Sequence, residues 1–140
     1  MRHHIIPRIV TKLLIPVILL FGLYVQFHGD FSAGGGFQAG VIFAAGFILY
    51  NIIFGLDIGK SILSVNTSKS LMALGVILYL MVGFLGILLG GNFLEYNYLS
   101  NTPINGQLLG IFLVELGVGL TVSNVMVLVF YSFNDISEEK

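Results

Sequence analysis

Two long stretches of this 140-residue chain are almost free of charge: residues 13–56 contain only Asp30, and residues 70–134 contain only Glu95 and Glu115. A soluble domain gives about 25% of its residues to Asp, Glu, Lys and Arg. Here the charged share is 9%, the hydrophobic share 56% and the mean hydropathy +0.98. Lipid, and not water, is the solvent such runs suit. A helix needs about 20 apolar residues to cross the roughly 30 Å hydrocarbon layer. The predicted fold is therefore all-α, one integral membrane domain over residues 1–140 with four transmembrane helices at about 9–27, 36–55, 71–91 and 106–131. Runs near twenty residues are too long for strands, and an open sheet leaves backbone groups unsatisfied in lipid.

Charge placement sets an expected orientation. Arg2, Arg8 and Lys12 precede the first helix, Lys60 and Lys69 lie between the second and third, and Lys140 follows the fourth. All six basic residues thus fall on one side, which the positive-inside tendency makes cytoplasmic, with both termini in. A basic segment before an apolar run also fits a secretory signal. Cleavage ahead of Gly34 would put Phe31 at a small-residue position, however, so a first membrane helix is the better reading. The absence of cysteine excludes disulfides and thiolate metal sites, and a net charge of -1 points to no nucleic-acid partner. His3 and His4 lack further ligands for a metal site, no cofactor is expected, and no nucleophile, base and orienting group occur at a spacing that suggests an enzyme.

Helices gain little from the hydrophobic effect on meeting in lipid, so small residues that permit close approach govern their packing. The chain has 18 glycines, among them Gly36 and Gly40 on the second helix, Gly75, Gly83, Gly86 and Gly90 along the third, and Gly110, Gly117 and Gly119 on the fourth. These faces serve packing within the chain, docking of other subunits, or both. Asn51 and Asn124 are candidates for hydrogen bonds between helices.

Glu115 is the residue that most invites a functional reading. Counted from a helix start near Gly106 at about 1.5 Å per residue, it lies roughly 13–14 Å deep, near mid-membrane. An acidic group there costs on the order of 2.5 kcal/mol or more, so such groups face a protein interior or a watered cavity and mark ion or proton paths. The competing reading is a protonated acid that makes one interhelical hydrogen bond. The second candidate is the segment from His28 to Gly40, which contains Asp30 and the run Gly34-Gly35-Gly36-Phe37. Gly34, Gly36 and Ala39 fit a loose dinucleotide fingerprint, but no strand precedes them and a membrane helix follows, so a nucleotide site is rejected. Successive glycines instead permit a tight turn, and the start of the second helix favours a nearby anion such as Asp30. His28 and Asp30 could form an outer ion entrance.

Thr11-Lys12-Leu13, the Gly34-Gly35-Gly36-Phe37 run with Gly40, the 90–94 stretch and Glu115-Leu116-Gly117-Val118 together resemble the MnhB (MrpB-like) components of Mrp-type multisubunit sodium/proton antiporters, over about residues 11–133. Three positions depart from that family's pattern. Ala33 stands where a proline is general, Gly29-Asp30 stands where Gly-His is common, and Glu115 stands where an aspartate is usual. The resemblance implies a small subunit in the cell membrane, working with other membrane subunits and the lipid bilayer while sodium ions exchange for protons. Glu115, Asp30 and His28 become ion-path candidates; Gly34, Gly35, Gly36, Phe37, Gly40 and Gly117 become loop and packing residues. The alternatives are a membrane-arm subunit of an energy-converting hydrogenase or ferredoxin-linked complex, and a purely structural assembly subunit.

Overall fold

A computed structural model describes residues 5–29 and 35–138. In chain order the elements are α1 (Ile5–Phe27), α2 (Gly36–Phe54), a short α3 (Leu56–Ile62), α4 (Val65–Leu88), a single 3₁₀ turn (Tyr96–Leu99) and α5 (Pro103–Glu138), with no strand among the described residues. Four of them, α1, α2, α4 and α5, are long and apolar enough to cross a membrane, as the charge-free runs predicted.

The connections hold more helix than hydropathy indicated. Between α2 and α3 the chain reverses at Gly55 (φ 106°, ψ 151°), a conformation open essentially only to glycine. Asp57 then opens α3 and Lys60 closes it, each on the side that the helix dipole favours. Helix α4 begins at Val65 because the Ser64 hydroxyl caps it, accepting from the Thr67 N–H at 3.1 Å. Its first turns are polar, so a search for apolar runs starts it too late. At the other end Gly90 (φ 97°) terminates α4, and Pro103, whose fixed φ suits a first helical position, begins α5.

The helices form a row in the order α1, α2, α5, α4, and α4 meets neither α1 nor α2 over any extended face. Glycines set the two inner crossings. A Cβ on Gly40 of α2 would stand 2.7 Å from the Gly119 carbonyl and 2.9 Å from Val122 Cβ, both on α5. On the opposite face of α5, a Cβ on Gly117 would stand 2.8 Å from the Gly75 carbonyl of α4. The Thr121 hydroxyl lies in the same crossing, donating to the Gly117 carbonyl at 2.9 Å. Gly83 and Gly86 serve another purpose: Phe93 and the Asn92 carbonyl lie on them as residues 89–102 fold back over the end of α4, while the Tyr96 ring covers Gly110. The small-residue faces are thus largely filled within the chain, whereas the outer faces of α1 and α4 are apolar and exposed, Leu88 at 79%.

The basic residues gather at the opposite end. The Arg8 guanidinium lies 5.3 Å from the Phe54 ring centroid. Lys60 pairs with Asp135 at 2.8 Å, and the buried Tyr131 hydroxyl donates to the Leu63 carbonyl at 2.9 Å. Ala44, Val127 and Tyr131 are the buried centre of a cluster there that also includes Phe47, Leu63 and Phe130.

Candidate functional site

The row of helices brings together two sequence features that lie eighty residues apart. Glu115, on α5, reaches the level at which α1 ends and α2 begins, and its carboxylate fills the space that side chains on Gly29 and Gly35 would occupy. A Cβ on Gly35 would stand 2.5 Å from Oε1. One residue further on, Gly36 lies directly against the Glu115 backbone carbonyl. At Gly36 glycine is a requirement of contact, since any larger residue collides with the α5 backbone; at Gly29 and Gly35 a larger residue displaces the Glu115 carboxylate.

This location gives the carboxylate a favourable electrostatic setting. Gly35 is the N-cap of α2, and the first backbone hydrogen bond of that helix runs from the Ala39 N–H to the Gly35 carbonyl at 3.0 Å. The N–H groups of the first turn have no partner within the helix, and the terminus carries the equivalent of about half a positive charge. Glu115 thus stands where the sequence suggested an anion such as Asp30. Asp30 and Gly34 themselves lie outside the described residues. His28 extends α1 by one hydrogen bond to the Tyr24 carbonyl (3.1 Å), and its ring stacks on Tyr24 with centroids 4.3 Å apart. Phe37 is 59% exposed and Gly40 and Gly117 sit in the two crossings of α5.

Glu115 stands at different heights along α5 and along the helices beside it. Glu115 is twelve residues from the start of α5, about 18 Å along it, which is indeed deep within that helix. From Tyr131, at the basic end, to Glu115 is sixteen residues or about 24 Å, nearly the full length of α2. Measured against α1 and α2 the carboxylate is at their glycine-turn end and not half-way. A count along one helix missed this because α4 and α5 extend well past the turn.

One turn along α5 toward the basic end, Gly119 leaves a second notch, and Gln26 of α1 fills it. Its Oε1 stands 2.6 Å from the Cβ position on Gly119, and the Gly36 carbonyl stands 3.1 Å from the same point. Gln26 is only 7% exposed, yet its Nε2 has no hydrogen-bond partner among the described residues. Gln26 was not among the sequence-predicted site residues. Its spacing of four from Gly22, which faces Ile42 and Phe43 of α2, was the signal that it shares the packed face. Beside it an open groove of about 420 Å³ runs along α5, its wall almost wholly apolar (Leu23, Phe43, Phe47, Leu116), with Ser123 and Asn124 among its few polar residues. Asn124 and Asn51 donate through their amides to carbonyls of their own helices, Leu120 at 2.7 Å and Phe47 at 2.8 Å, and the Asn51 side chain also meets the Tyr131 hydroxyl of α5, a contact between helices as expected. Among the described residues no cluster of three or more His, Asp or Glu side chains could hold a metal ion.

Residues 6–128 match a family described as a domain related to the MnhB subunit of Na+/H+ antiporters. The chain is 35% identical to a protein of Staphylococcus haemolyticus (strain JCSC1435) named as antiporter subunit mnhB2, with 94% of this chain and 95% of that protein covered. It is 34% identical to the protein of the same name from Staphylococcus aureus (strain Newman), again over 94% of this chain and 95% of the relative.

Proposed function

The chain belongs to the family of domains related to the MnhB subunit of Na+/H+ antiporters, and we propose that within such an assembly Glu115 and the glycine turn form one polar site on the ion path. It is a multi-pass membrane subunit of a multisubunit Na+/H+ antiporter, with other membrane subunits as its partners. The observation that carries the site is the contact of the Glu115 carboxylate with Gly29, just past α1, and with Gly35, the N-cap of α2. A carboxylate held only for stability needs no such clearance, since an uncharged side chain packs into lipid at less cost. Here three glycines, Gly29, Gly35 and Gly36, keep backbone close around the acid. The half-buried group can bind and release a proton or a sodium ion as the path around it is filled and emptied.

In this reading the protein sits in the cell membrane with both termini in the cytoplasm. Arg8, Lys12, Lys60 and Lys69 then mark the cytoplasmic side and the segment that joins α1 to α2 faces out, with His28 and Asp30 as candidates for an outer ion entrance. The chain acts without a cofactor, and its own contribution is the polar site together with the surfaces that join it to its neighbours. Glu115→Gln preserves shape and removes the charge. Sodium-driven proton movement in everted vesicles should fall at least tenfold while the subunit still co-purifies with the complex. Normal exchange by a normally assembled Glu115→Gln complex would remove Glu115 from the ion path.

A further inference from the structure

We infer that the groove along α5 is a binding site for an anionic phospholipid, with one acyl chain lying in the groove and the headgroup phosphate held by Arg8 and Lys12 of α1 at its basic end. Such a site is independent of the role given to Glu115, and its bound chain ties α1 to α5 where the protein itself does not.

The dimensions of the groove select its occupant. It follows α5 from Leu116 to Val127, eleven residues or about 16 Å, with Leu23 of α1, Phe47 of α2 and Leu71 of α4 in its walls. A volume of about 420 Å³ over that length gives a cross-section of about 25 Å². A helix with its side chains is about 10–12 Å across, or roughly 80–110 Å² in section. A neighbouring helix can therefore only dip side chains into the groove, whereas a single hydrocarbon chain lies in it whole. The almost wholly apolar wall suits a chain that has no polar group to satisfy, and the open side admits it from the bilayer. Helices α1 and α5 meet briefly at the glycine-turn end, where Gln26 sits on Gly119 and Phe27 stacks on Phe112. From there to the basic end the groove lies between them.

Charge at one end of the groove selects the headgroup. Lys12 is eleven residues from Leu23, close to three full turns, and Arg8 is eighteen residues, five full turns, from Gln26. Leu23 and Gln26 both line the groove, so the two cations stand one turn apart on the groove side of α1. The Arg8 guanidinium lies 5.3 Å from the Phe54 ring centroid, and Phe54, seven residues from Phe47, continues the groove wall of α2. Their height follows from the packing of α1 on α2. Gly22 meets Ile42 and Phe43, and Gly46 meets Ile18 and Leu19, a register that sets Lys12 level with Ile52, within one turn of the end of α2. Both cations thus flank the mouth of the groove at the level of the headgroups of that leaflet. A phosphodiester accepts parallel hydrogen bonds from a guanidinium and a point-charge contact from an ammonium on a flexible stem. A lipid whose headgroup carries its own ammonium gains less from the pair than one with net negative charge.

The test places the full complex in nanodiscs of phosphatidylcholine that contain a small share of phosphatidylglycerol bearing a photoactivatable diazirine on its acyl chain. A parallel sample carries the same share of phosphatidylcholine bearing the same group. After irradiation the labelled residues of this subunit are located by peptide mass. Groove residues such as Phe47 and Leu120 should take up the phosphatidylglycerol probe at least fivefold more than the phosphatidylcholine probe. Val17 on α1 and Ile77 on α4, exposed and outside the groove, should take up both alike. Arg8→Gln with Lys12→Gln should bring the groove down to the phosphatidylcholine level. If that pair impairs assembly, Lys12→Gln alone, at an exposed position, should at least halve the preference. Equal labelling of the groove by the two probes would overturn the inference, as would a preference that the substitutions leave unchanged. A groove that neither probe labels, beside labelled Val17 or Ile77, would also overturn it and give the groove to the side chains of a neighbouring subunit.

Discussion

Alanine at Gly40 tests the crossing on which the whole site depends. Its Cβ would stand 2.7 Å from the Gly119 carbonyl oxygen and 2.9 Å from Val122 Cβ. The first distance falls about 0.8 Å short of a comfortable contact near 3.5 Å. A carbonyl inside a helix cannot turn away, so α2 has to withdraw as a body, drawing Gly36 and Gly35 off Glu115 one turn further along. Overpacking of this size costs about 1–3 kcal/mol; alanine returns about 0.5–1 kcal/mol over glycine in a helix interior. The expected net loss is about 0–2.5 kcal/mol, centred near 1 kcal/mol. Gly46→Ala, on the same helix, is the internal control. Its Cβ meets only side-chain ends, Ile18 Cγ2 at 3.3 Å and Leu19 Cδ2 at 3.4 Å, which can shift by a few tenths of an ångström. It should be neutral within about 0.5 kcal/mol or slightly stabilising. The assay is retention of this subunit on the detergent-solubilised complex over a temperature series, read by size-exclusion chromatography. Equal tolerance of the two substitutions, or a larger loss at Gly46, would refute the glycine-mediated contact of α2 with α5.

Further expectations follow from the same contacts. Gly35→Ala puts a methyl group 2.5 Å from Glu115 Oε1, so it should impair antiport while costing less stability than Gly40→Ala, because a carboxylate can rotate and a backbone cannot; transport assays beside the retention assay check both halves. Gly55→Ala should cost about 1–3 kcal/mol through backbone conformation alone, read as earlier loss of the subunit on heating. Burial, with a smaller contribution from the charge of Tyr79, raises the Tyr96 phenol above its usual 10.0. A raised folded-state value means that the neutral phenol's contribution is complete below pH 10 and is lost as the pH climbs through the higher folded value. Alkaline dissociation should accordingly begin above pH 10, and Tyr96→Phe should flatten it with little change at neutral pH.

Composition and order along the chain determined the class of fold, the number of crossings and the gathering of the basic residues at one end. Each follows from the cost of placing charge or bare backbone in hydrocarbon, a local cost that any window of sequence reveals. Helix starts were less legible where polar side chains build the first turn, as at Ser64 to Ser70, since capping and hydropathy then give opposite signals. The glycines were visible as small-residue stripes, but their partners were not. Gly36 and Gly40 could have faced any helix, another subunit or lipid, and only the ordering of the row, with α5 between α2 and α4, put them on Glu115 and Gly119. Glu115 shows the division most clearly. Its charge in an apolar run announced a site, yet its depth, the glycine turn around it and the buried Gln26 beside it came from the relative heights of four helices, which are fixed by packing between distant residues and leave no mark in any one stretch of chain.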